Sequence, residues 1–292
     1  MKVIRAEHLG MCFGVRDAIA LAREHADAAP LTILGDLVHN ATVLSDLRAR
    51  GILIARNLTD VTTERVMVTA HGASGRALAK TRTLGLQVVE ATCPLVHVAH
   101  RAVRALVRDG YHPVIVGRRD HVEVRGMTED LDAFDVVLDD EDVRELDEHP
   151  RIGVAAQTTQ PLERVRHLVD AIRRQFQRSD VRFIDTVCKP TKQRQQAAVD
   201  LARQCDVVVV VGGADSNNTR ELVATCREHC ARVHHVVGER DLRPEWFDGA
   251  NVVGLTAGTS TPDEVVELVD RRIHELTAGR ESPESDTHRC VQ

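Results

Sequence analysis

Two hydrophobic periods alternate along the chain. The stretch "LTILGDLVHNATVLSDLRARG" opens on an apolar run at 31–34, crosses a polar loop and continues from Ala41 with apolar residues at helical spacing. The same order returns in "VMVTAHGASGRALAKTRTLG", "HPVIVGRRDHVEVRGM", "RIGVAAQTTQPLERVRHLVDAI", "CDVVVVVGGADSNNTRELVATC" and "NVVGLTAGTSTPDEVVELVDRRI". Runs of Val and Ile without polar alternation suit parallel strands covered on both faces. Strand followed by helix, repeated along the chain, predicts βαβ units and an α/β fold.

The loops between these elements carry a second, longer repeat. Cys12, Cys93 and Cys188 each follow a strand-like segment and precede a helical one. A polar loop comes next at near-constant distance: His39 lies 27 residues after Cys12, His121 lies 28 after Cys93, and Ser216 lies 28 after Cys188. A further polar loop follows in each third, at His71, at Thr158–Thr159 and at Ser260. In parallel α/β sheets ligands sit beyond the carboxyl ends of the strands, where loops lead into helix N-termini. Three lobes about one axis would bring three cysteines and six polar loops to one cavity.

Composition narrows what such a cavity could hold. The chain has 292 residues, 43% hydrophobic and 28% charged, which suits a soluble protein with a substantial core. A net charge of −6 and only seven aromatic residues give no footprint for nucleic acid. No apolar run has the length of a membrane span, and "MKVIRAEHLG" lacks the apolar core of a signal peptide. A cytoplasmic location is therefore expected, with the seven cysteines mostly reduced.

Three thiolates from separate lobes could hold zinc or an iron–sulfur cluster. Structural zinc normally has four ligands, and no CxxC pair supplies them here. A four-iron cluster on three cysteines would leave one iron without a protein ligand. Around it, His39, His71, His121, Ser216, Asn218 and Ser260 offer the donors that suit a phosphate or diphosphate. Glu123, read as the one carboxylate in these loops close to a histidine, is a candidate proton donor.

These residues carry a resemblance. "GMCFGVRDAI", "LVHNATVL", "AHGAS", "ATCPLV", "DHVEVRG", "AQTTQ", "DTVCKPTKQRQ", "GGADSNNTREL" and "TAGTSTPD" appear in the order and at close to the spacings of the IspH/LytB family of 4-hydroxy-3-methylbut-2-enyl diphosphate reductases, from about Met1 to Ile273. The resemblance implies three α/β lobes arranged trefoil-like around a central [4Fe-4S] cluster held by Cys12, Cys93 and Cys188, with one open iron. The expected lobes are 13–93, 94–187 and 1–12 with 188–278, followed by a flexible tail at 279–292. It further implies diphosphate binding by His39, His71, His121, Ser216, Asn218 and Ser260, with Thr191 and Asn217 lining the substrate. Glu123 matches the proton-relay acid, and Thr158 the hydroxyl that orients the substrate's alcohol. The implied reaction is a two-electron, two-proton reductive dehydroxylation to isopentenyl and dimethylallyl diphosphate, the last step of the methylerythritol phosphate pathway. With no flavin fingerprint or second cysteine-rich segment, electrons are expected from an external ferredoxin or flavodoxin. Two other readings fit the same scaffold: a non-catalytic iron–sulfur redox or oxygen sensor, and a reductase of a related allylic diphosphate.

Three positions depart from the family pattern. Val122 replaces a proline between His121 and Glu123, Met11 stands where many members have Phe, and Asn217 where some have Ser. Other suggestive residues have plainer readings. Cys226 and Cys230, spaced one helical turn apart with Leu222, read as a core stripe, and Cys205 as packing at a strand entry. "GGADSNN" lacks the spacings of a nucleotide loop. "LDDEDVRELDEHP" reads as a solvated loop and helix face. His97 and His100 read as surface or core positions, and Cys290 falls in the expected tail.

Overall fold

Val207–Val211 are all fully buried, and in the computed structural model, which describes residues 1–278, they form an inner strand of one of three sheets. Cys290 and the expected tail at 279–292 lie outside the described residues. The strands are β1 (Lys2–Arg5), β2 (Leu31–Leu34), β3 (Leu53–Ala55), β4 (Arg65–Val68), β5 (Gln87–Glu90), β6 (His112–Val116), β7 (Asp135–Val137), β8 (Arg151–Ala156), β9 (Asp180–Phe183), β10 (Val207–Val211), β11 (Val233–Val236) and β12 (Val252–Ala257). The helices are α1 (Phe13–Ala28), α2 (Ala41–Ala49), α3 (Gly75–Thr83), α4 (Pro94–Arg108), α5 (Val122–Thr128), α6 (Asp140–Arg144), α7 (Leu162–Gln175), α8 (Lys189–Ala202), α9 (Asn217–Arg227) and α10 (Asp263–Thr277).

One strand order occurs three times: β3-β2-β4-β5, β7-β6-β8-β9 and β11-β10-β12-β1, with the strand pairs parallel throughout. The N-terminal strand β1 completes the third sheet by pairing with β12. The expected α/β architecture of three similar lobes is thus present.

The valine run shows why alternation is missing from the sequence. Successive strand residues point to opposite faces. Val207, Val209 and Val211 pack with Val266, Val269 and Ile273 of α10, whereas Val208 and Val210 pack with Leu201 of α8 and Leu222 of α9. Both faces are dry, so both sets of positions must be apolar. Cys226 and Leu222 lie in the second of these clusters as expected. Helix α9 ends at Arg227, however, so Cys230 follows the helix rather than extending its stripe; its thiol donates to the Cys205 carbonyl at 3.4 Å. Cys205 packs beside it at the entry to β10, and the acidic run is an exposed segment whose Asp139 caps α6. Among the described residues no helix is long and apolar enough to cross a membrane.

Candidate active site between the three lobes

Each cysteine sits at the N-cap of a helix: Cys12 before α1, Cys93 before α4 and Cys188 before α8. Their side chains make no capping hydrogen bond, unlike the usual Ser, Thr, Asp or Asn at this position. Pro94 suits the first turn of α4, where a missing N–H costs nothing. The thiols are thus presented at the positive ends of three helices.

One turn geometry, repeated three times, ties each cysteine to a neighbouring loop. After β4, β8 and β12, a tight turn closes with Gly72 N–H to Thr69 O, Gln160 N–H to Gln157 O and Thr261 N–H to Gly258 O. The carbonyl of the first central residue accepts the cysteine amide: Cys93 to Ala70, Cys188 to Thr158 and Cys12 to Thr259, each at 3.0 Å. The second central residues, His71, Thr159 and Ser260, line one cavity. A second set of loops follows β2, β6 and β10. Gly35, Gly117 and Gly212 each bond the neighbouring edge strand, and four residues on stand His39, His121 and Ser216, which line the same cavity.

The cavity, about 50 Å³, is also lined by Asn217, Asn218 and Thr259. The His39 and His71 rings stack with centroids 4.4 Å apart, and His121 meets them edge-on at 5.4 and 5.6 Å. His39 Nε2, His71 Nδ1 and Asn218 Nδ2 are buried without a partner. Buried polar atoms rarely stay unpaired, so these orphans mark a ligand position. Burial keeps the imidazoles neutral: it pushes His121 down to about 4, lowers His39 and holds His71 well below its ordinary value. Gly213 is needed here because a Cβ at this position would stand 2.6 Å from the His39 carbonyl oxygen. Two larger grooves, of about 500 and 450 Å³, lie outside this centre and contain charges already paired, Arg16 with Asp263 and Arg164 with Glu221.

Glu123 is 1% exposed, and burial raises its carboxyl to about 7 despite hydrogen bonds from Thr158. Its Oε1 accepts the Thr158 N–H at 2.7 Å. Val122 takes the first position of α5. His121 Nδ1 accepts the Glu123 N–H at 3.1 Å. Glu123 is not the one carboxylate near an imidazole: Asp36 and Asp215 act on His39, and Asp120 on His121. Those three are exposed, whereas Glu123 is buried.

The three thiols approach one another from separate lobes. A Cβ on Gly14 would lie 2.5 Å from Cys93 Sγ, so only glycine lets α1 pass that sulfur. Cys12 and Glu123 act electrostatically on both Cys93 and Cys188. Burial raises the Cys93 thiol and pushes Cys188 up to about 11, so both need a positive group to become thiolates. The three sulfurs do not all fall within 4.8 Å of one another. Three thiols at helix N-termini are a donor set that an iron–sulfur cluster takes.

Thr191 and Thr158 take positions other than the cavity wall. Thr191 is fully buried and its Oγ1 accepts the Cys188 thiol at 3.1 Å, and Thr158 faces Glu123. Thr159, present in the sequence pattern but not singled out, lines the cavity and accepts Asn217 Nδ2 at 3.3 Å. Asn217 and Asn218 open α9 behind the Ser216 cap, which accepts the Thr219 N–H. His100 is a core position, 6% exposed, packed against Gly72 and Gly126.

Residues 3–274 match the LytB protein family. The chain belongs to the LytB family. It is 38% identical to a 4-hydroxy-3-methylbut-2-enyl diphosphate reductase of Pelobacter propionicus, covering 94% of this chain and 99% of that protein. Identity to the same-named enzyme of Aquifex aeolicus is 36%, over 95% and 98% of the two chains. Among solved structures, the E-1-hydroxy-2-methyl-but-2-enyl-4-diphosphate reductase of Plasmodium falciparum matches with a TM-score of 0.89 at 25% identity, over 96% of this chain and 89% of that one. An (E)-4-hydroxy-3-methyl-but-2-enyl diphosphate reductase, described as the terminal enzyme of the non-mevalonate pathway, matches with a TM-score of 0.66 at 34% identity, over 94% and 100%. Membership of the LytB family thus extends over nearly the whole described chain.

Proposed function

We propose that this protein is a 4-hydroxy-3-methylbut-2-enyl diphosphate reductase that works in the cavity between its three lobes. The observation that carries this reading is the juxtaposition of orphaned anion-binding donors, three uncapped thiols and one buried, protonatable carboxyl. The reaction takes up two electrons and two protons. The allylic C–O bond breaks, the hydroxyl departs as water, and one C–H bond forms to give isopentenyl or dimethylallyl diphosphate.

His39, His71 and His121, with Ser216, Asn218 and Ser260, bind the diphosphate and satisfy the unpaired nitrogens. Asn217 braces the wall through Thr159. Cys12, Cys93 and Cys188 hold a [4Fe-4S] cluster, which when bound supplies electrons and has one iron free of protein ligands. Glu123, its carboxyl raised to about 7, is partly protonated near neutral pH and delivers a proton beside the reacting carbon–oxygen bond; Thr158 fixes its orientation. Thr191 steadies the Cys188 thiol. The electrons come from an external one-electron carrier of the ferredoxin or flavodoxin type.

The test is anaerobic turnover of reconstituted protein with a strong one-electron reductant and the hydroxylated allylic diphosphate, with iron and sulfide assayed on the same sample. Five-carbon diphosphate products support the reading. A loaded cluster that gives no product overturns it in favour of the sensor or a different allylic diphosphate. The retained diphosphate loops and Glu123 favour the enzyme, since a sensor needs neither.

A further inference from the structure

Arg194, on α8, is only 8% exposed, and its guanidinium hydrogen-bonds backbone carbonyls alone. Nε and Nη2 donate to Gly10 O at 3.0 and 2.8 Å, and Nη1 donates to Pro190 O at 3.1 Å. The charged groups that act on it are Cys12, Cys188 and, unfavourably, Arg16; no carboxylate is among them. A buried cation without an anion is costly, and proteins keep one where a counter-charge completes it. Gly10 lies two residues before Cys12 and Pro190 two residues after Cys188. The guanidinium therefore ties the loop before Cys12 to the first turn of its own helix, which Cys188 caps.

We propose that Arg194 is a positioning residue that holds the Cys12 loop against the Cys188-capped start of α8 and supplies the buried positive charge that favours the electron-rich state of the cluster the cysteines hold. This rests on the three-thiolate reading above. Three thiolates on a doubly charged four-iron core carry a net charge of about −1, which becomes about −2 on one-electron reduction. A nearby cation stabilises the second state more than the first. Arg suits the task because its planar fork spans two carbonyls and its charge survives burial, whereas the ammonium of Lys is a single point.

The test is the cluster's midpoint potential in the reconstituted full chain, by mediated titration followed by absorbance and electron paramagnetic resonance. In Arg194→Gln the reduced-to-oxidised ratio at a fixed potential falls about tenfold, a midpoint about 59 mV more negative. Arg194→Lys keeps the charge, so its midpoint stays within about twofold in that ratio, while chelator removes its cluster faster than from the unmodified chain. A purely structural role would speed cluster loss in both variants and leave both midpoints unchanged. An unmoved midpoint in the Gln variant, or equal shifts in both variants, overturns the proposal. If the Gln chain takes up no cluster, the Lys chain decides: an unchanged midpoint with faster loss supports the proposal, and a tenfold shift overturns it. Failure of the unmodified chain to load a four-iron cluster overturns the three-thiolate reading itself.

Discussion

Two histidine clusters stand at opposite ends of the strands, and they differ in every physical respect that matters. At the carboxyl ends, His39, His71 and His121 come from two lobes, meet partly edge-on and leave buried ring nitrogens unpaired. At the amino ends of the second sheet, His112 and His149 stack with centroids 3.7 Å apart and planes 7° from parallel, and His112 Nε2 lies 2.7 Å from Asp135 Oδ2. This second group is the one among the described residues whose ligand atoms all lie within 4.8 Å. A metal must lie near the plane of each imidazole that binds it, and two parallel stacked rings share no such point. The satisfied cluster is a surface fastening between strands. The unsatisfied one is the candidate site. Proximity alone does not separate them; unmet hydrogen bonding and desolvation do.

The comparison can be broken most severely at the thiols beside the unsatisfied cluster. Cys93→Ser should reduce iron and sulfide content to below about a tenth of the unmodified protein's, since a hydroxyl is a poor cluster ligand. A full, spectroscopically normal cluster in that variant would sink the three-thiolate reading. Next in size, Glu123→Gln should keep the cluster and lose about 10²- to 10⁴-fold in turnover. The sign of the pH dependence follows from the raised carboxyl. The acid must be protonated, so the unmodified enzyme's rate should fall as pH rises through about 7. The residual rate of the Gln variant should lack that limb.

His121→Asn is a gentler probe, because Asn can still cap α5. It should raise KM about ten- to a hundredfold with a smaller change in kcat, as expected for loss of a hydrogen bond to an anion. The same substitution tests the neutral imidazole by stability. His121 is depressed to about 4, so the unfolded chain takes up a proton first as pH falls below 6.5. Stability from this residue is present above that value and is lost toward pH 4, by about 3 kcal/mol. Denaturation midpoints across that range should depend less on pH in the Asn variant. Smallest of all, His112→Ala at the opposite end should cost no more than about 1 kcal/mol, because its Asp135 partner is over a third exposed. It should leave KM unchanged; a shifted KM would erase the distinction between the two clusters.

Much of the site could be read from residue order. The cysteines before Pro94 and before Lys189–Pro190 announce helix starts, and the near-equal spacing of the polar loops announces three lobes. The choice between Thr158 and Thr159 could not be read so. Both are polar, both follow β8, and only the turn closed by Gln160 and Gln157 directs the second into the cavity while the first faces Glu123. Gly14 looks like any helix glycine until Cys93, distant in the chain, brings its sulfur against α1. Cys230 fits a helical stripe by spacing, but the helix stops three residues earlier, where the chain turns toward β11.

The sequence by itself determined the α/β class, the parallel sheets and which polar residues and cysteines stand at the strand ends. These follow from local rules: two-sided burial imposes unbroken apolar runs, helix starts attract particular residues, and loops at strand ends collect polar side chains. Only the tertiary structure decided which groups meet and in what state. Burying Glu123 raised its carboxyl to about 7, packing left His39, His71 and Asn218 nitrogens unpaired in one cavity, and Arg194 reached across to the Gly10 carbonyl ahead of Cys12. Desolvation and cross-lobe contact depend on residues distant in the chain, and no local pattern encodes them.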